Sequence, residues 1–155
     1  MTKKTTKKPH KKVPKKPRLT KPEKEIQEEV VKYLREKWHH VGWYHPMNNV
    51  VAQNKGKKAL AFAKMIGEQN KKMGVRKGIP DIVVPVLKKS GANTYGSLYV
   101  ELKSERGYVR PSQKHMHERL EAHGQKVEVA RSLDEFKEIM ERYMRLSDPN
   151  KVYSI

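Results

Sequence analysis

Two carboxylates and one lysine stand where an ordinary α/β core would not place charge. Asp81 opens residues 79–87, a run otherwise almost wholly apolar. Glu101 and Lys103 alternate with Leu98, Val100 and Leu102 across residues 98–103. Burying an isolated charge costs several kcal/mol, so such groups are paired, metal-bound or at an edge. Strands lie ~4.8 Å apart, so if these two runs are neighbours Asp81 comes close to Glu101. Two carboxylates at that distance repel unless a cation sits between them. Hard oxygen donors suit magnesium or manganese. Lys103, two residues beyond Glu101, reaches the same face. There it can orient a water or stabilise charge developing on a phosphate. The competing reading is a structural ion-pair cluster.

The elements that must position these groups are legible in the periodicity. Ile26, Val30, Tyr33, Leu34 and Trp38 form one stripe, predicting a helix over 21–38, with Thr20 and Glu23 as its capping box. Residues 42–45 read as a short strand ended by Pro46, and Asn48 and Asn49 as a loop. A second helix is expected over 57–73, with Ala59, Phe62, Ile66 and Met73 on one face and Gly74 as its stop. Residues 79–87, with three valines, read as a strand buried on both faces. Residues 88–96 read as a polar turn region, and 98–103 as an alternating strand. Pro111 opens a third helix that Gly124 closes, and 126–130 form a short strand. Ser132 and Glu135 cap a last helix carrying Leu133, Phe136, Ile139, Met140 and Tyr143. The expectation is a mixed central sheet with helices on both faces, an α/β fold.

Pro80-Asp81, nineteen residues, then Glu101-Leu102-Lys103 resembles the PD-(D/E)XK nuclease superfamily. The surrounding residues sharpen the resemblance. Residues 74–81 look like the Gly-x-x-x-Gly-x-Pro-Asp segment of the VRR-Nuc family, and 98–103 like its second strand. Ser112-Gln113, Leu120 and Gly124 look like its following helix, and Glu23 with Gln27 like its leading helix. Asn48 falls where that family often has an asparagine. The similarity spans roughly residues 21–143. It implies a metal-dependent nuclease on a restriction-endonuclease-like core. Asp81 and Glu101 would hold a magnesium or manganese ion, with the Leu102 carbonyl as a further ligand. Lys103 would serve the water, Gln113 would support the site, and Glu23 would sit near the metal, directly or through water. Read from the residues alone, Glu23 is equally placed as a cap, Gln113 as an exposed helix-start residue, and Glu25, Glu28 and Glu29 as solvated. The small stand-alone members of the family, mostly from phages, resemble Holliday-junction resolvases, dimers that act on branched DNA.

Charge agrees with a nucleic-acid partner. The 155 residues hold 35 Lys and Arg against 17 Asp and Glu, a formal net charge of +18. A small chain this basic usually meets a polyanion. Residues 1–22 hold ten of the cations and no acid, and are broken by Pro9, Pro14, Pro17 and Pro22. Residues 1–20 therefore read as a disordered arm for phosphates or a solubilising tail, 21–146 as the nuclease-like domain, and 147–155 as a loose end. Lys55, Lys57, Lys58, Lys71, Lys72, Arg76 and Lys77 lead into the Asp81 strand, and Arg106, Tyr108 and Arg110 follow the Lys103 strand. Both groups are candidates for DNA contact, against the alternative of solvated faces. His115 and His117, two apart on a helix, are expected to diverge rather than chelate one ion. His39 and His40 read as helix-end residues capping carbonyls or touching phosphate.

Several classes are set aside. Without cysteine there is no disulfide, thiolate zinc site or thiol nucleophile. No apolar run is long enough to cross a membrane, and the basic start lacks the apolar stretch of a secretory signal. A cytoplasmic setting is expected, the host's if the chain is viral. No Gly-rich phosphate loop points to a nucleotide cofactor. The leading expectation is a branched-DNA endonuclease acting as a homodimer, through the last helix or a patch at Trp38 and Trp43. Its rivals are a nicking or flap-type nuclease, a non-catalytic DNA-binding protein on the same fold, and a site-specific restriction nuclease, for which the chain has little spare length.

Overall fold

The computed structural model describes residues 20–46 and 57–150. Asn48, Asn49, Lys55 and the basic arm through residue 19 lie outside the described residues. The elements run α1 (Glu23–Lys37), α2 (Lys57–Lys72), β1 (Ile82–Val84), β2 (Lys88–Ser90), β3 (Asn93–Tyr95), β4 (Leu98–Leu102), α3 (Pro111–Ala122), β5 (Lys126–Ala130) and α4 (Leu133–Met144). The central sheet has the order β1-β4-β5. β1 runs antiparallel to β4, and β5 parallel to it, so the sheet is mixed.

Helices cover both faces, as the alternation in β4 requires. Leu98, Val100 and Leu102 are buried on one face. They join Ile82 and Val84 of β1, Ile26, Val30 and Leu34 of α1, and Phe136, Ile139, Met140 and Tyr143 of α4 in a single core. α3 packs on the opposite face, where Gln113 reaches Glu101. All three residues of β1 are buried. This fits a strand covered on both sides.

Several local expectations give way. The strand expected over 79–87 is only three residues long. Pro80 and Pro85 flank it and cannot donate to the ladder. The strand expected over 42–45 is one bridge, Tyr44 to Val83. Residues 88–96 form the β2–β3 hairpin rather than a turn region. Lys88 is buried and donates to the Met144 carbonyl at 3.1 Å, which ties the hairpin to α4. Ser147, read as the start of a loose end, is bridged to Lys89. The Thr20–Glu23 capping box does not form, because Pro22 is the N-cap and Glu23 is already helical. The Ser132 hydroxyl does cap α4, accepting from Glu135 N at 3.1 Å.

The apolar surfaces are redistributed too. Phe136, Ile139, Met140 and Tyr143, read as spare surface for a dimer, are consumed by the core. Trp38 and Trp43 pack against it. The expected buried face of α2 is not found among the described side chains. Phe62 and Met73 are exposed, as are Met65 and Val75.

Candidate active site

β4 is the central strand, and its pairing with β1 sets the site. Ile82 pairs with Val100, so the register carried one residue further sets Asp81 against Glu101. Asp81 lies where the β1 ladder stops, and its side chain takes over. Oδ2 accepts a hydrogen bond from Leu102 N at 2.8 Å. The Asp81 carbonyl is bonded to His45 Nδ1, in the segment whose Tyr44 bridges Val83. Strand ends are where backbone amides lack ladder partners, and an aspartate there is both fixed and close to solvent.

Glu101 is almost wholly buried, at 1% exposure, and Lys103 is buried at 5%. Lys103 Nζ donates to Glu101 Oε1 at 2.5 Å and to the Leu102 carbonyl at 3.2 Å. It also lies 3.9 Å from Oε1 of the exposed Glu23. The first turn of α1 thereby reaches the same ammonium as the middle of β4. From the other face, Gln113 Nε2 donates to Glu101 Oε1. Gln113 Oε1 accepts from Arg110 N at 2.9 Å, so this side chain locks the start of α3 and the carboxylate together. His117, one turn further on, places Nε2 3.6 Å from Glu101 Oε2. Each of these two atoms is buried without a hydrogen-bond partner.

A cleft of about 510 Å³ joins these groups, lined by Glu23, Asp81, Glu101, Lys103 and Gln113, with Lys77, Tyr108 and Arg110 among the others. Gly78 permits its tight wall. Its φ is +87°, and a Cβ there would stand 2.5 Å from the Ser112 carbonyl oxygen. Only glycine allows the segment before Asp81 to pass this close beneath the start of α3.

The electrostatics are those of crowded acid. Burial, and then the negative charge of Glu101, push the Asp81 carboxyl above its ordinary range. The Leu102 N–H, Lys103 and His45 pull it back in part. A divalent cation fits this chemistry. Asp81, Glu101 and the Leu102 carbonyl offer hard oxygens, and a cation between the two carboxylates would relieve the repulsion that adds to burial in holding the Asp81 carboxyl above its ordinary range. The described residues hold no group of three or more His, Asp or Glu set to share one ion. Glu23 accordingly meets Lys103 rather than a cluster with both carboxylates.

The candidate DNA contacts separate. Lys77, Arg110 and Tyr108 line the cleft. Arg76 and Arg106 are exposed but do not line it. Lys57 and Lys58 lie in the first turn of α2, their side chains outside the described part. His115 is exposed and His117 turns inward, so the two do diverge. Beyond that divergence, Gln113 and His117, four apart, share the face that meets Glu101. That i, i+4 spacing was the available signal.

An α/β protein is thereby defined whose acidic residues and lysine meet at one end of a mixed sheet. The sequence profile of the VRR-NUC domain matches residues 20–134, and the chain belongs to that nuclease-type family. A solved structure of a VRR_NUC domain protein is similar, with a TM-score of 0.62 and 21% identity over 83% of this chain and 93% of that one. At that identity the likeness is one of fold. No curated protein matches the sequence.

Proposed function

We propose that this chain is a metal-dependent endodeoxyribonuclease that hydrolyses phosphodiester bonds in branched DNA. The observation that carries the reading is the convergence of Asp81, Glu101 and Lys103 on one solvent-open cleft with cations at its rim. A purely structural ion pair has no need of a second carboxylate held beside it at a cost in desolvation.

Asp81, Glu101 and the Leu102 carbonyl would hold magnesium or manganese, which when bound supplies a Lewis acid for a phosphate oxygen. The chain's own residues do the rest. Leu102 N fixes the Asp81 carboxylate. Gln113 fixes Glu101 from α3. Lys103 presents its ammonium to the cleft, where it orients the attacking water and stabilises charge on the phosphate. Glu23 steadies that ammonium from α1. Lys77 and Arg110 neutralise flanking phosphates, and exposed Arg76 extends the basic surface.

Branched DNA is favoured because the fold is small and carries no long recognition loop among the described residues. Symmetric cutting of a junction needs two such sites, which a two-fold homodimer supplies. The test is incubation with a four-way junction, a flap, linear duplex and plasmid, with magnesium, manganese, calcium or chelator. Paired cuts in the junction with magnesium, lost in chelator, are expected. A single nick would move the reading to a flap-type or nicking nuclease. Binding without cleavage under any metal would leave a DNA-binding protein.

A further inference from the structure

We propose that Tyr108 is a stacking platform for an unpaired base beside the cleaved phosphate. It is 73% exposed, yet it lines the same cleft as Asp81, Glu101 and Lys103. Among the residues that line this cleft Tyr108 is the one aromatic, and its ring faces stand open beside the acidic groups.

The backbone beneath the ring is held on both sides. Gly107 N donates to the Ser104 carbonyl at 2.8 Å. Arg131 Nη1 donates to the Gly107 carbonyl at 2.6 Å and the Ser104 carbonyl at 3.3 Å. A Cβ at Gly107 would come within 2.9 Å of Ser104 Oγ and 3.2 Å of Glu23 Oε1, so the turn is tightly seated against the site. Beyond the ring, Arg110 N is tied to Gln113. The Tyr108 side chain itself has no hydrogen-bond, ring or cation partner among the described residues. The backbone beneath the ring is therefore fixed in place, while the ring's faces are left uncovered for a base.

The chemistry of the occupant follows. Every base has a π face, so stacking on tyrosine is tolerant of sequence, and Lys77 and Arg110 on the same cleft supply contacts to the adjoining phosphates. In intact duplex each base face is covered by its neighbours. Only a nucleotide at a branch, flap or frayed end offers a free one. Tyr108 thus selects DNA with an unpaired base at the scissile position. This rests on the nuclease reading and adds the feature of the substrate that is read.

The experiment uses DNA with 2-aminopurine at the unpaired nucleotide of a flap, and matched duplex, in calcium to measure binding and in magnesium to measure cleavage. Tyr108→Ala is expected to weaken binding of the flap by about tenfold to a hundredfold. Its duplex binding and the salt dependence of both should stay unchanged, because no phosphate contact is lost. Tyr108→Phe should retain wild-type binding, and the fluorescence quench should vanish only in Tyr108→Ala. Equal weakening on flap and duplex, a Phe variant as weak as the Ala variant, or an unaltered quench in Tyr108→Ala would each overturn the stacking role. Wild-type protein that binds these DNAs but cuts none with magnesium overturns the nuclease reading instead, while the quench still reports on the ring. Wild-type protein that binds neither DNA overturns both.

Discussion

His117 Nε2 lies 3.6 Å from Glu101 Oε2, and neither of these buried atoms has a hydrogen-bond partner. The gap is just too long for a hydrogen bond. A buried acceptor left unmade costs about 1–3 kcal/mol, so a small shift that closes the gap is favoured. His117 does not line the cleft, and its place is behind the carboxylate.

The first prediction follows from that position. His117→Phe keeps the bulk and removes the donor, and should weaken manganese binding about tenfold or more, the usual cost of losing a partner behind a ligand. His117→Gln should restore it. Titration calorimetry on the metal-free protein reads this without any cleavage assay. Equal affinity in wild type and His117→Phe would show that Glu101 needs no support from α3 at that oxygen.

Asp81 gives a prediction about stability. Burial and then Glu101 raise its carboxyl above the ordinary range. Between the ordinary and the raised value the folded chain binds more protons than the unfolded one, so stability falls as pH rises through that window. Asp81→Asn removes the charge, and the amide oxygen it introduces still accepts from Leu102 N. At neutral pH without metal the variant should melt higher than wild type by up to about 3 °C, and the two should converge near pH 4 and below. Adding magnesium should raise the melting point of wild type only. A variant that melts lower at neutral pH would mean that Asp81 is stabilised as its anion.

Gly78 and Gly74 form a matched pair for the cleft wall. Both have positive φ, +87° and +81°, but a Cβ meets the Ser112 carbonyl at Gly78 and nothing within 4 Å at Gly74. Gly74→Ala should cost about 1 kcal/mol, from backbone strain alone. Gly78→Ala should cost about 2–3 kcal/mol and displace Ser112 and Gln113, lowering cleavage as well. Chemical denaturation of the two side by side makes the comparison. Equal losses would show that the approach to α3 is not tight.

The proposed roles of Asp81, Glu101 and Lys103 are best tested with polar isosteres. Glu101 and Lys103 are buried against each other, so neutralising either strands the other's charge at a cost of about 3–5 kcal/mol, and a Gln at either position at least keeps the bulk and a hydrogen bond. Asp81→Asn, Glu101→Gln and Lys103→Gln should each lower single-turnover cleavage by about a thousandfold or more, while DNA affinity, set by many phosphate contacts, changes little. Near-normal cleavage by any of the three would place the chemistry elsewhere.

How much was legible beforehand depends on the range of the interactions. The order of β4, α3, β5 and α4 was readable because each is set by short periodicity, a proline start, a glycine stop or a Ser cap. Asp81, Glu101 and Lys103 were readable as one cluster because side chains alternate along a strand, which puts Glu101 and Lys103 on one face. Charge likewise required no fold. What only the tertiary structure decided is what lies across from what. The antiparallel register sets Asp81 against Glu101 and gives its carboxylate the Leu102 N–H. The sequence left Glu23 free to cap α1, whereas in the fold Pro22 is the N-cap and the Glu23 carboxylate lies near Lys103. His117 read as one of two diverging histidines until α3 settled on the sheet and set it behind Glu101. The β2–β3 hairpin hid in a polar stretch because its support comes from α4, through Lys88. The last helix offered an apolar stripe that a sequence cannot assign to core or partner, and the depth of the sheet's own core claimed it. Local rules fix the elements and the face each side chain takes. Register and packing, made of contacts far apart in the chain, fix which of those faces meet.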